Sequence, residues 1–208
     1  MIRRNLALAA LLALLVVPVR PALAACEVTP FIGAMIPANT MYMQTTGSTA
    51  YIRMQTHTVY GLSLGTSLTQ KIGAEVVLGT GTGKMEIVGG TTTLALGSTL
   101  FFADLRGRIR LMGGDQSQLS GVLGVGYTDF NVGLFDLAHE TDQGTFIGRL
   151  TGVAGAEIHG DLSDRVHLNV SVVDRVHDQG IGLNLGGVDV SKKTQNDIVA
   201  TAGLTFAL

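Results

Sequence analysis

An all-β chain, with eight antiparallel strands running up and down around a closed barrel, is the fold that this sequence predicts. Three observations predict it. Apolar residues recur at every second position in eight segments, which is the period of a strand and not of a helix. Glycine is abundant, 28 of 208 residues, against only 4 prolines, and hydrophobic residues reach 46% while charged ones stop at 14%. Short and long connections alternate between the segments.

The first 25 residues stand apart. Arg3 and Arg4 precede an unbroken apolar run over 6–17, which is too short to span a membrane as a helix. Pro18, Arg20, Pro21 and the small-residue stretch Ala22-Leu23-Ala24-Ala25 follow. A positive start, an apolar middle and an A-x-A site make 1–25 a secretory signal peptide and 26–208 the barrel domain. Leu23-Ala24-Ala25-Cys26 also resembles a lipobox, which makes Cys26 a candidate for lipidation; ordinary cleavage with a bystander thiol is the other reading. As the sole cysteine, Cys26 has no partner for an internal disulfide.

The strands follow in order. The first covers 28–36 and holds Pro30, which a strand tolerates near its beginning. In 58–68, Tyr60, Leu62, Leu64 and Leu68 alternate with Gly61, Ser63 and Gly65. In 72–80, Ile72, Ala74, Val76 and Leu78 alternate with Gly73, Glu75, Val77 and Gly79. The alternation is strongest over 100–111: Phe101, Ala103, Leu105, Gly107, Ile109 and Leu111 form one face, and Phe102, Asp104, Arg106, Arg108 and Arg110 the other. Further strands are predicted at 119–130, 146–158, 166–176 and 197–208. A strand of about 10 residues rises about 33 Å, and at about 40° tilt it spans about 25 Å, the height of an outer-membrane apolar band. The short connections, 69–71, 112–118 and 159–165, carry turn formers; 37–57, 81–99, 131–145 and 177–196 are expected to be long connections at the opposite end.

The two faces differ in charge. Between their ends the apolar faces carry almost none, with Asp129 and Asp174 near the long-connection side. The other faces carry Glu75, Asp104, Arg106, Arg108, Arg110, Arg149, Glu157, His167 and Arg175. A lipid-facing arginine at mid-membrane costs about 2–4 kcal/mol, so in a membrane barrel these residues must line the interior. The glycines Gly61, Gly65, Gly73, Gly79, Gly124, Gly126 and Gly203 share that inward phase and leave room for long side chains. Pairing is expected between Glu75 and the 104–108 stretch, between Arg110 and Glu157 across Ser120, and between Glu157 and His167, with five interior arginines leaving a modest positive excess over three acids. Tyr60, Phe101, Tyr127 and Phe146 fall on the outward phase at the loop ends of their strands, and Phe206 at the other end, as a thin aromatic girdle would.

Composition disfavours disorder, a polytopic helical membrane protein and a disulfide scaffold, and the net charge of −2 without a basic block disfavours a nucleic-acid partner. The histidines are His57, His139, His159, His167 and His177. His167 and Ser171 share a face but lie about 13 Å apart, too far for a nucleophile and its base. No spacing supports a metal site or a cofactor. The run Gly79-Thr80-Gly81-Thr82-Gly83-Lys84 lacks phosphate-loop spacing and is expected to lead from a strand into an outer loop.

With the opening Val28-Thr29-Pro30-Phe31-Ile32-Gly33, the glycine-rich alternating strands and the closing segment 198–208, the chain resembles the small eight-stranded outer-membrane barrels of the OmpA/OmpX kind. Members close on alternating apolar residues with a terminal aromatic that the barrel-assembly machinery reads; here Leu208 is last and Phe206 stands two earlier on the same face. The resemblance implies an outer-membrane location and contact with outer-membrane lipid, lipopolysaccharide and the assembly machinery. It implies no enzyme: the closely spaced His and Ser of the lipid-deacylating barrels are absent. The expected role is structural or adhesive, with an unknown extracellular ligand met by loops that hold Leu94, Leu96, Leu134, Phe135, Leu137, Ile181, Leu183 and Leu185. The alternative is a narrow channel for small apolar or anionic solutes, and a third reading is a soluble lipid-carrying barrel.

Overall fold

The structure, a computed structural model of the chain, describes residues 26–38, 41–45, 48–89, 91–114, 116–132, 147–179, 189–190 and 193–208. The segment 1–25 expected as a signal peptide, Phe146 and the expected loop residues Leu134, Phe135, Leu137, Ile181, Leu183 and Leu185 lie outside them. The strands are β1 (Cys26–Pro37), β2 (Met41–Thr45), β3 (Ser48–Met54), β4 (His57–Ser67), β5 (Ile72–Gly89), β6 (Thr92–Gly113), β7 (Ser117–Val132), β8 (Ile147–Ser163), β9 (Val166–Gln179), β10 (Asp189–Val190) and β11 (Lys193–Ala207). Every pairing is antiparallel. The ring runs β5-β4-β1-β11-β9-β8-β7-β6 and closes through β5–β6, so eight strands make the barrel. First and last strands meet along Glu27↔Ala207 to Pro37↔Asp197, and the Leu208 N–H donates to the Cys26 carbonyl at 2.9 Å.

Beyond the ring the sheet continues past one end. β3 pairs with β5 above the stretch that β4 occupies, β2 pairs with β3, and β10 with β2. The residues expected as long connections over 37–57 and 81–99 are therefore largely strand. The cause is visible at 79–84. The glycines point inward and the threonines outward, so the run is an alternation with no apolar outer face. A Cβ at Gly79 would sit 2.2 Å from the Phe102 ring, and one at Gly83 2.6 Å from the His57 ring. These positions are empty because large side chains from neighbouring strands fill them. The turn end is compact: Leu68 and Thr69 N–H groups both reach the Ile72 carbonyl at 2.9 Å, and Gly113 turns the chain at φ 133°, a conformation glycine adopts without strain.

Candidate functional site: a packed, charged lumen

Alternation sorts the side chains radially. Leu62, Leu78, Leu105, Leu123, Leu150, Val170, Val172 and Leu204 are exposed on the outside, Leu123 to 70% and Leu150 to 80%. Glu75, Asp104, Arg106, Arg108, Glu157 and Arg175 are buried inside, Arg175 completely. A soluble barrel has the reverse arrangement.

Three levels fill the interior. At the turn end Arg108 binds Glu27 at 2.7 Å and Glu157 at 3.5 Å, and His159 Nε2 donates to Glu157, with the Asn169 side chain beside it. Cβ atoms at Gly65 and Gly73 would lie 3.0 and 3.2 Å from the Arg108 guanidinium, so both glycines make room for it. At mid-height Arg106 binds Asp104 at 2.7 Å and Glu75 at 3.6 Å, and Ser63 donates to Glu75 at 2.9 Å. Arg175 bonds the same Asp104, donates to Thr128 at 2.7 Å and lies 4.7 Å from the centre of the Phe102 ring. Above, Met35, Met54, Val59, Met85, Leu100 and Phe130 form an apolar layer. His177 and Gln195 bond Asp197 at 2.9 and 2.8 Å beside it.

The void space matches this layering. A cavity of about 610 Å³ opens at the turn end, bounded by Arg108, Arg110, Lys71, His159, Asp161 and His167 among others. At mid-height, beside Glu75, Arg106 and Glu157, only about 20 Å³ is free, room for about one water.

Several expected partnerships are different. Glu75 does face Arg106 in register. Arg110 and Glu157 flank Ser120 as expected, yet Arg110 does not reach Glu157; it donates to the Gly113 and Gly114 carbonyls at 3.3 and 3.0 Å, where the strand register shifts between Arg110 and Met112. Glu157 does not neighbour His167. The β8–β9 turn is tighter than 159–165 suggests, so Glu157 faces Ser171 and His167 pairs with Asp161 at 2.6 Å. Arg149 is half-buried and makes no ion pair among the described residues. The positive excess expected of the lumen is offset by Glu27 and Asp197, two inward acids that the sequence reading left out. Their signal was phase: Glu27 extends the inward phase of Thr29 and Phe31, and Asp197 that of Val199 and Thr201.

Tyr60, Phe101, Tyr127 and Phe206 are exposed at 51%, 43%, 45% and 40%. They do not end their strands at the far side: β6 begins nine residues before Phe101. The outward residues beyond them turn polar, with Thr58, Thr82, Lys84 and Thr99 exposed, so the aromatics mark the edge of the apolar band. Cys26 is exposed at the opposite edge.

Sequence reading also missed His57. It is fully buried beyond Tyr60, outside the apolar band, with Nδ1 2.8 Å from the Gln55 carbonyl and Nε2 3.1 Å from Ser98 Oγ. Burial holds its pKa below the ordinary 6.5, and the neutral ring donates from Nδ1 and accepts at Nε2. Among the described residues no group of three or more His, Cys, Asp or Glu is placed to hold a metal ion.

No family model matches the chain, and no curated protein does. Solved structures do. The outer-membrane protein OprG from Pseudomonas aeruginosa superposes with a TM-score of 0.64 at 17% identity, over 88% of this chain and 96% of OprG. Neisserial surface protein A superposes with a TM-score of 0.59 at 9% identity, over 89% of this chain and 99% of its own. The chain has the fold of these small outer-membrane β-barrels.

Proposed function

We propose that the chain is an integral outer-membrane barrel with a closed lumen, acting through its extended end in a structural or surface-binding role and not as an enzyme. One observation carries this reading: the apolar faces point outward and the charges inward. In water the exposed leucines would form a continuous hydrophobic belt, which soluble monomers avoid. In a bilayer the belt is solvated and the charges are screened from lipid. The folds of OprG and Neisserial surface protein A support the same location.

In the remainder of this reading, 1–25 is a cleaved export signal, Cys26 is the point of acylation if the lipobox is used, and the barrel-assembly machinery inserts the chain. The outer partner contacts segments around 133–146 and 180–188. Unboiled protein in SDS is expected to migrate apart from boiled protein, and the chain to fractionate with outer membranes; recovery in the soluble periplasm would refute the reading.

A narrow channel is the second reading, and the 610 Å³ cavity at the turn end favours it. The Arg106–Glu75 and Arg175–Asp104 contacts lie across its path, with the apolar layer beyond. Planar-bilayer recording is expected to show no conductance steps; steady steps would favour the channel.

A further inference from the structure

The outer surface changes character just above the aromatic edge of the band. Tyr60, Thr80 and Phe101 share one rung of β4, β5 and β6. The next outward rung is Thr58, Thr82 and Thr99, in register and all exposed. Above it β5 presents Lys84 and then Glu86, and Glu86 faces Arg53 of β3. Arg53 is therefore a diagonal neighbour of Lys84, a backbone separation of about 7–8 Å. Both side chains are exposed, and neither makes an ion pair or hydrogen bond among the described residues. Glu86 is engaged by the Gln55 amide. Gly97, in register with Lys84, leaves open space where a side chain would stand. Asp174 lies on the far side of the barrel, on β9 in the outward phase, whereas Asp129 on β7 stands beside Phe101 in register, at the β6 edge of the strip.

We propose that this strip of β3, β5 and β6 binds the phosphorylated headgroup of an outer-leaflet lipid, with the acyl chains lying on Leu62, Leu78 and Leu105 below. The proposal rests on the membrane reading above. The chemistry is arranged by height. Aliphatic side chains lie within the band, aromatic rings at its edge, hydroxyls at the level of sugar and glycerol oxygens, and two cations, unpaired among the described residues, where phosphates lie. Arg53 and Lys84 offer charge-assisted hydrogen bonds to one phosphate from two strands. Asp174 opposite repels the same group and Asp129 bounds the strip beyond β6, so lipid collects over β3 and β5 and orients the barrel among its neighbours.

The test uses the full mature chain in phosphatidylcholine vesicles doped with lipid A or with its dephosphorylated form. Retained lipid is counted by native mass spectrometry. Each cation near an anionic group contributes about fivefold, so the pair gives a preference of roughly thirtyfold for the phosphorylated form. The double variant Arg53→Gln/Lys84→Gln is expected to lose that preference while keeping its SDS heat shift. Lys71→Gln, at the turn end, is expected to keep it. Equal retention of the two lipids by the wild type, or full preference in the double variant, overturns the proposal. Failure of the chain to float with vesicles overturns the membrane reading, and the proposal with it.

Discussion

Arg175→Met tests whether the mid-lumen network holds the barrel together. Arg175 is completely buried, and three groups depend on it: the Asp104 carboxylate, the Thr128 hydroxyl at 2.7 Å and the Phe102 ring at 4.7 Å. Methionine keeps the unbranched stem and removes the charge. Breaking a buried pair from one side costs about 3–5 kcal/mol, because the abandoned charge stays buried. Here Arg106 still holds Asp104 at 2.7 Å, which places the expected loss near the lower limit, about 3 kcal/mol. Removing the acid as well, in Arg175→Met/Asp104→Leu, leaves no orphaned carboxylate at that site, and Arg106 retains Glu75 at 3.6 Å. The double variant is expected to be more stable than the single one. Urea unfolding in lipid vesicles, followed by circular dichroism and by the SDS heat shift, measures both. A single variant that loses under about 1 kcal/mol, or a double variant whose loss is the sum of its parts, would refute the network as the structural centre.

The outward face is tested by Leu123→Arg: the position is 70% exposed, and a charge there is expected to cost about 2–4 kcal/mol in a bilayer, read as reduced assembly. Gly79→Ala puts a Cβ 2.2 Å from the Phe102 ring and is expected to lose about 1–3 kcal/mol, whereas Gly97→Ala, with nothing within 4 Å, is expected to lose little; equal melting of the two would contradict the inward packing. His57 is expected to titrate below 6.5 by NMR. Since its folded pKa is depressed, the stability tied to its neutral form is complete above 6.5 and falls as the pH drops through that value toward the folded pKa; a midpoint above 6.5 would contradict its burial.

Much of the barrel wall is legible in the chain because its strands alternate strictly between an apolar and a polar face. From Phe101 to Leu111 the outward face is apolar or glycine, and every second residue from Phe102 to Arg110 points the other way. On the proposed membrane reading, lipid on one side and a narrow polar lumen on the other leave few exceptions. The same rule fails at the extended end, where the outer face is no longer apolar. Over 79–99 threonine, lysine and glutamate replace leucine on the outside, so hydrophobic counting registers a loop although the backbone ladder continues from Gly81↔Leu100 to Gly89↔Thr92. An alternation of inward glycine with outward threonine was the available signal.

Side-chain partnership was less legible than strand phase. Register places Arg110 within two strands of Glu157, but a long side chain chooses among several acceptors, and nearby turn carbonyls hold it instead. Glu157 is then reached by Arg108, one step along the same face, which also spans to Glu27 on β1. Glu27 was hidden because a lone acid beside Cys26 at the start of the domain looks like a solvated terminus. His57 was hidden for a related reason, standing where a connection was expected until the extended strand turns it inward, whereas Asp197 opens the predicted strand 197–208 and was passed over as its first residue.

The packing at mid-lumen follows from the way size is distributed around it. An eight-stranded barrel is just wide enough for side chains to fill. Here the filling is uneven: very long side chains stand opposite glycines. Phe102 occupies the place of a side chain at Gly79, Arg108 that of Gly65 and Gly73, and Asp104 that of Gly126. Arg108 thereby reaches across the lumen to Glu27 on β1, and Arg175 on β9 to Asp104 on β6. A wall of medium-sized polar residues would leave a central thread of water, whereas alternating very large with absent side chains moves the packing to the axis and ties distant strands together there. The same glycines that give the chain its unusual composition are thus the reason its centre has room for about one water and not a column of them. Opening a pore would require replacing the crossing residues together, because each remaining charge keeps another carboxylate in place.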